Sequence, residues 1–547
     1  METIKKLDGI MFARMINSGA LNLKAHAQEI NDLNVFPIPD GDTGDNMLLT
    51  IMGGVNKDEP KCEKLCRVAE TASSGMLLAA RGNSGVILSQ FFEGMKNGFS
   101  GIDNADVQIL GEAFKQGVNK AYSAVMVPTE GTILTVARET TEYALSINAD
   151  TPKEFFNAFI KEAKESLERT PKLLPVLKKA GVVDSGAAGL ICIVEGMVQG
   201  MNGEIALTAN EVSEKQDELD FDAFGEDSVL KFGYCTELLV RLQSKKCDIA
   251  TFDVKNITDY LQTIGESIVT VRNGSLVKIH VHTMTPDKVL HFCQRYGEFL
   301  KVKIENMTLQ HNNTVTSEET SDSSKPKKKY GIVAVASGEG LRSFFLERGA
   351  DVIVEGGQSM NPSTEEFLEA FRNANAETVF VFPNNSNIVL TAKQAANLYG
   401  DADVRVIESK TIGAGYAALS MFDENSGDAD AIAADLTEAM NGVVTAEVSH
   451  CVRDAMCGGT KLHRGDYIGF VGKELLAAES DRVATVETSL DKLSLNEYDI
   501  CILIYGKDVK NEEASEIERY IYSKYPGKEI FTYSGMQTVY DYIMILE

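Results

Sequence analysis

The chain has 547 residues, of which 44% are hydrophobic and 24% charged; this is the make-up of a folded protein of several domains and excludes a wholly disordered one. Its 53 Lys and Arg stand against 80 Asp and Glu, a net charge of −27, and such a field repels phosphate backbones and anionic lipid, so neither nucleic acid nor a membrane surface is expected as a partner. An anionic ligand would need a bound metal, a local cation or a set of backbone N–H groups to enter that field.

The opening METIKKLDGIMFARMINSG holds no apolar run of signal-peptide length, and nowhere do about 18 apolar residues run together. A cytoplasmic protein without an integral membrane segment is expected. Its nine cysteines lack regular spacing and read as reduced thiols. Along residues 1–205, apolar positions such as Phe12, Met15 and Ile16 recur at three-and-four spacing, which predicts an all-α domain. Residues 206–228 turn acidic, with Glu211, Glu214, Asp217 and Glu218 among them, and suit a solvated connector. Over 229–313 the pattern is one of strands and short helices, and the two alternating runs that flank Asn273-Gly274 predict a tight hairpin in a small α+β domain. Residues 314–329, rich in Ser and Thr and ending in lysines, read as a flexible linker.

From 330 to 547, apolar strand runs alternate with helix-like stretches, the pattern of a parallel sheet covered by helices in an α/β domain. Gly- and Asn-rich loops at strand ends, in GGQSMNPST and FPNNSNI, mark where such a domain presents binding surface. Ser337-Gly338-Glu339-Gly340 begins like a dinucleotide fingerprint, but Ser343 stands where the third glycine belongs, so a plain strand-to-helix turn is expected.

The segment NVFPIPDGDTGDNM packs Asp40, Asp42 and Asp45 around Gly41 and Gly44. Carboxylates this close repel unless a cation lies between them, and oxygen ligands on a kinked backbone suit Mg2+; a solvated acidic turn or a helix cap uses the same residues. Three more segments share its character: Gly82, Asn83, Ser84 and Gly85; Thr129, Gly131 and Thr132; and Asp184, Ser185 and Gly186. Each is expected to open a helix, where free N–H groups and the positive dipole end cradle phosphate, although small residues also serve close helix packing. In the middle region His280 and His282 share one face of a strand, with Cys235 on an earlier one. Two imidazoles and a thiolate suit Zn2+, while hydrogen-bonded histidines on a half-buried strand fit equally.

In this order, PDGDTGDNM, RGNSG, PTEGT and DSGAAGL resemble the nucleotide-binding subunit of bacterial dihydroxyacetone kinases, and the full length resembles more closely the ATP-binding subunit of bacterial fatty acid kinase. The resemblance implies an N-terminal barrel of antiparallel helices that binds ATP through Mg2+. Asp40 and Asp42 match its metal-binding aspartates, Thr43 follows them as a third catalytic residue, and Asp45 is a further candidate ligand. Asn46, Gly82, Asn83, Ser84, Gly85, Thr129, Gly131, Thr132, Asp184 and Gly186 match its nucleotide-binding positions. A further aspartate of the dihydroxyacetone enzymes has no counterpart here, where Asn34 and Val35 stand. Cys235, His280 and His282 match the zinc residues of the family's middle domain, and the C-terminal α/β domain resembles the DegV-like fold of the fatty-acid carrier proteins and serves to dock the carrier. The activity implied is ATP-dependent phosphorylation of a carrier-bound fatty acid to acyl phosphate for phospholipid synthesis, by a homodimer. Two rivals are a dihydroxyacetone-type sugar kinase, whose histidine-bearing substrate half has no obvious counterpart here, and a non-catalytic regulatory scaffold that binds nucleotide.

Overall fold

The computed structural model describes residues 5–34, 41–55, 62–203, 234–249, 252, 254–261, 263–273, 275–306, 327–457 and 459–547. The chain divides into two units, Met1–Thr208 together with Pro326–Glu547, and Ala209–Lys325.

The first part of the larger unit is helical, with α1 (Gly9–Asn31), α2 (Thr43–Gly53), α3 (Leu65–Ala79), α4 (Gly82–Gly98), α5 (Val107–Ser123), α6 (Ile133–Ser146), α7 (Pro152–Leu173), α8 (Pro175–Ala180) and α9 (Ser185–Met201). The three-and-four apolar spacing puts Phe12, Met15 and Ile16 of α1 in the core. Neighbours close into a ring: α1 packs on α9, α9 on α7, α7 on α6, α6 on α5, α5 on α4, α4 on α2 and α3, and α2 back on α1. Phe114 on α5 anchors the interior, its ring edge-to-face with Phe91, Phe155, Phe156 and Phe159 at centroid distances of 5.6, 5.3, 5.7 and 5.2 Å. Asp8, Asp106, Thr151 and Asp184 accept first-turn N–H groups and so start α1, α5, α7 and α9. In contrast, α2, α4 and α6 begin without a side-chain cap, which leaves first-turn N–H groups for another acceptor.

The smaller unit is α+β. Its strands β1 (Tyr234–Leu242), β2 (Gly265–Asn273), β3 (Leu276–Thr283) and β4 (Gly297–Asn306) form a sheet in the order β2-β3-β1-β4, antiparallel throughout. Asn273 pairs with Leu276, so a hairpin joins β2 to β3 as expected, but Asn273 belongs to the ladder and the connection starts one residue beyond it, where the Asn-Gly pair predicts a turn at Asn273 itself. Leu238, Val240, Val277, Ile279, Val281 and Val289 form its core. The expected acidic connector and most of the linker lie outside the described residues, and β5 starts at Lys328, taking in the last two residues of that linker.

The α/β part adds two sheets. In the first, β5 (Lys328–Ala336), β6 (Val352–Glu355), β7 (Ala376–Phe382) and β8 (Asp403–Val406) are parallel in the order β6-β5-β7-β8, as the sequence pattern predicts. Beyond it come β9 (Val444–His450), the short pair β10 (Ala455–Cys457) and β11 (Thr460–Leu462), then β12 (Tyr467–Val471), β13 (Glu474–Glu479), β14 (Ile500–Tyr505), β15 (Glu529–Ser534) and β16 (Tyr542–Leu546). The second sheet runs β13-β12-β9-β16-β14-β15 and is antiparallel except at β14–β15, where the sequence pattern predicts parallel pairing. Gly472-Lys473 alone joins β12 to β13, with Gly472 at φ +57; two residues can close only an antiparallel hairpin. Ser337-Gly338 is a turn into the helix Glu339–Leu346, as expected.

The α/β part packs on the helical ring within the same unit. The helix Val389–Leu398 lies on α4 and the capping-box helix Thr364–Ala374 on α3. Gln394 stitches this seam, accepting from Gln90 Nε2 at 2.8 Å and donating to the Leu77 carbonyl at 2.9 Å. Among the described residues, no helix is long and apolar enough to cross a membrane.

Candidate active site

Three of the four glycine-bearing segments meet at one place, and the fourth is tied to it. At the start of α2, Asn31 on the last turn of α1 accepts from Gly44 N at 2.7 Å and donates to Asp45 Oδ2 at 3.0 Å. Gly44 permits this approach, since a Cβ there would lie 2.3 Å from the Ala27 carbonyl. Asp42 occupies the N-cap position without capping the helix, which leaves its carboxylate for other partners. One turn along, Asn46 is buried to 6% exposure.

Gly82 opens α4 at φ +56, and a Cβ on it would meet Asn46 Nδ2 at 2.7 Å; only glycine fits both the backbone and the space. Asn83 donates to Asn387 Oδ1 at 3.3 Å, while its own Oδ1 is buried with no hydrogen-bond partner. At α9, Asp184 accepts from Ala187 N at 2.8 Å. Burial pushes its carboxyl up to about 6, against the opposing pull of the Ala187 and Ile133 N–H groups. The Ile133 bond ties the start of α6 to Asp184. Ser185 Oγ donates to Thr43 Oγ1 at 3.3 Å, joining α9 to α2.

A cavity of about 800 Å³ opens where these starts converge, and Asp42, Thr43, Asn46, Asn83, Ser84 and Asp184 line it. Gly85 and Gly186 pack just behind, against Thr50 and Ile133. Thr129, Gly131 and Thr132 stand apart from the lining; Thr132 Oγ1 bonds the Thr129 carbonyl at 2.8 Å and Gly131 sits against Leu173 and Leu174. Asp45 is exposed and bonded to Asn31, also outside the lining. Asp40 lies outside the described residues.

The opposite wall of the cavity is the α/β part, which contributes Asn384, Asn385, Lys410, Glu447 and Lys473. Lys179 of the helical part adds a third amine. Three cations around one mouth answer the need for local positive charge in a chain of net −27. Glu447, on β9, is 9% exposed, and burial alone pushes its carboxyl up to about 8. Sequence reasoning singles out the loops that carry Asn384 and Asn385 but passes over Asn31, Lys410 and Glu447, which belong to no motif; for Asn31, an amide at a helix end facing an acidic loop is the only local sign.

These residues fit a metal-bound nucleotide. An aspartate that does not cap its own helix, the uncapped start of α4 and an orphaned buried amide oxygen all border one space, an arrangement that suits phosphate and a hard divalent cation. In the smaller unit, the strand register sets Cys235 opposite His282 and Glu237 opposite His280. The side chains of Cys235, His280 and His282 lie outside the described residues, and among those described no three His, Cys, Asp or Glu cluster as a metal site.

Comparison with known proteins places these parts. The family model of the DAK2 domain matches residues 37–199, that of the middle domain of FakA-like fatty acid kinase proteins matches 231–314, and that of their C-terminal domain matches 331–547. Protein YloV of Bacillus subtilis is 38% identical over 558 aligned residues, covering 100% of each chain. An uncharacterized protein of Staphylococcus aureus is 35% identical over 554, again with 100% of each chain covered. Among solved structures, DegV of Bacillus subtilis, a fatty acid binding protein, is 12% identical at a TM-score of 0.32, covering 40% of this chain and 99% of its own. Matched along its whole length in this way, the chain belongs to the FakA-like family of fatty acid kinase proteins, with a DAK2 domain as its helical part.

Proposed function

We propose that this chain is the ATP-binding subunit of a fatty acid kinase, passing the γ-phosphoryl group of ATP to the carboxylate of a fatty acid held by a separate carrier protein. The convergence of Asp42, Thr43, Asn46, Asn83, Ser84 and Asp184 on one cavity supports this reading most directly. Asp42, with its sequence neighbour Asp40 and with Asp45 as a further candidate, would hold Mg2+, which when bound neutralises charge on the β- and γ-phosphate oxygens. Free N–H groups at the start of α4 would take phosphate oxygens, and Lys179, Lys410 and Lys473 offset the charge of the chain around them. A carboxylate acceptor, with a pKa of about 4 to 5, is already ionised at neutral pH and needs no general base. The work left to the protein is positioning and charge stabilisation, and this constellation is suited to both.

In the same reading the product is an acyl phosphate for phospholipid synthesis, the α/β part docks the carrier, and Cys235, His280 and His282 hold Zn2+ in a cytoplasmic homodimer. The register that sets Cys235 opposite His282 supports the zinc assignment. The test is incubation of the full-length chain with ATP, Mg2+, carrier and labelled fatty acid, with hydroxylamine to trap acyl phosphate. Hydroxamate that depends on both chain and carrier is the expected result. Carrier-independent phosphorylation of dihydroxyacetone would replace this reading with the sugar kinase, and nucleotide binding without any phosphorylated product would leave the regulatory scaffold.

A further inference from the structure

The loop before the helix Thr364–Ala374 belongs to the α/β part, yet it reaches into the DAK2 half of the cavity. Asn361, 2% exposed, donates from Nδ2 to Asp42 Oδ2. The same amide nitrogen lies 3.4 Å from where a Cβ on Gly82 would be, beside Asn46 Nδ2. One amide from a distant part of the chain therefore touches two of the motif segments. The backbone around it is fixed: Arg81 Nη1 donates to the Asn361 carbonyl at 2.9 Å, Arg81 pairs with Glu366 at 3.3 Å and forms a β-bridge with Ser363, and Thr364 N donates to the Ala80 carbonyl at 3.1 Å.

Two observations set this contact apart from ordinary domain packing. Asp42 leaves its own helix uncapped and takes a bond from the other part instead. Asn361 Oδ1 is buried with no partner, so the half of the amide that does not hold the Asp42 carboxylate is left unmet. An amide that holds a ligating carboxylate by one oxygen fixes the direction of the other, and such outer contacts set metal affinity as much as the ligands do.

We propose that Asn361 is a positioning residue for the metal site, so that the α/β part completes the kinase centre by aiming the Asp42 carboxylate. This rests on the kinase reading above and adds to it: the C-terminal part is a wall of the reaction centre as well as a dock.

The test uses the full-length chain, Mn2+ as the metal probe and a non-hydrolysable ATP analogue, with bound Mn2+ read by electron paramagnetic resonance. Asn361→Leu and Asn361→Ala both remove the donor without adding charge, and agreement between two side chains of different size guards against a folding defect in either variant. Both are expected to weaken Mn2+ binding by about tenfold. Gln394→Ala, which loosens the same seam away from the cavity, is expected to leave the affinity unchanged. Wild-type Mn2+ affinity in both Asn361 variants overturns the clamp, and so does an equal loss in Gln394→Ala, which would make the effect one of packing. A wild-type chain that binds no Mn2+ with the nucleotide overturns the kinase site itself and the clamp with it.

Discussion

Glu447 offers a test in which pH does the work. Its carboxyl sits in the middle of the second sheet, between β12 and β16, on the cavity wall. Burial raises it from 4.5 to about 8, so between these values the folded chain holds a proton that the unfolded chain has lost. The stabilisation from that proton is fully present below pH 4.5 and disappears as pH rises through about 8. At 1.36 kcal/mol per unit the ceiling is about 5 kcal/mol, and water in the cavity lowers the expected loss to about 2 to 3 kcal/mol. Glu447→Gln keeps the shape and stays neutral at every pH. It should match the wild type near pH 5, gain as pH rises toward about 8 and hold a constant lead above that, as measured by urea midpoints. With no tryptophan and 17 tyrosines in the chain, tyrosine emission or circular dichroism is the natural signal. A gap between the two proteins that is constant with pH, or one that narrows as pH rises, refutes the assignment of a buried neutral carboxyl.

Asp42→Ala should abolish Mg2+-dependent ATP turnover with little change in melting temperature, because this carboxylate caps no helix; wild-type turnover in the variant would remove Asp42 from the site. Phe114→Ala empties the centre of the phenylalanine cluster and should cost about 3 to 5 kcal/mol in denaturant unfolding, and a loss below about 1 kcal/mol would mean the ring does not pack there. Purified protein should carry zinc by elemental analysis and lose it in His282→Ala; unchanged metal content in that variant ends the zinc assignment.

What can be read from the sequence is what short stretches determine. The four glycine-bearing segments are expected to open helices, and Thr43, Gly82, Ile133 and Ser185 are each the first residue of one. A hairpin forms at Asn273 within one residue of where the sequence predicts it, because Asn-Gly pairs favour tight turns. Gly472-Lys473 is an equally local sign, but the continuous apolar runs on either side hide it, since a strand buried on both faces reads alike in either pairing. The far wall of the cavity is out of reach for a different reason. Asn361 meets the DAK2 half across hundreds of residues and Lys410 lines the same cavity, and no periodicity or turn signal specifies a proximity of that range. The Gly- and Asn-rich loops show where a binding surface would be, without showing that it faces the kinase motifs.

The Asp42–Asn361 contact spans 319 positions of chain. A ribosome working at about 5 to 20 residues per second takes roughly 15 to 60 s to travel that far, so the acidic loop is complete long before the amide that meets it has been made. During that interval the helical ring can fold with its mouth open, and the smaller unit can form on its own while it waits. The acidic loop therefore gains its partner amide only after the α/β part has been made.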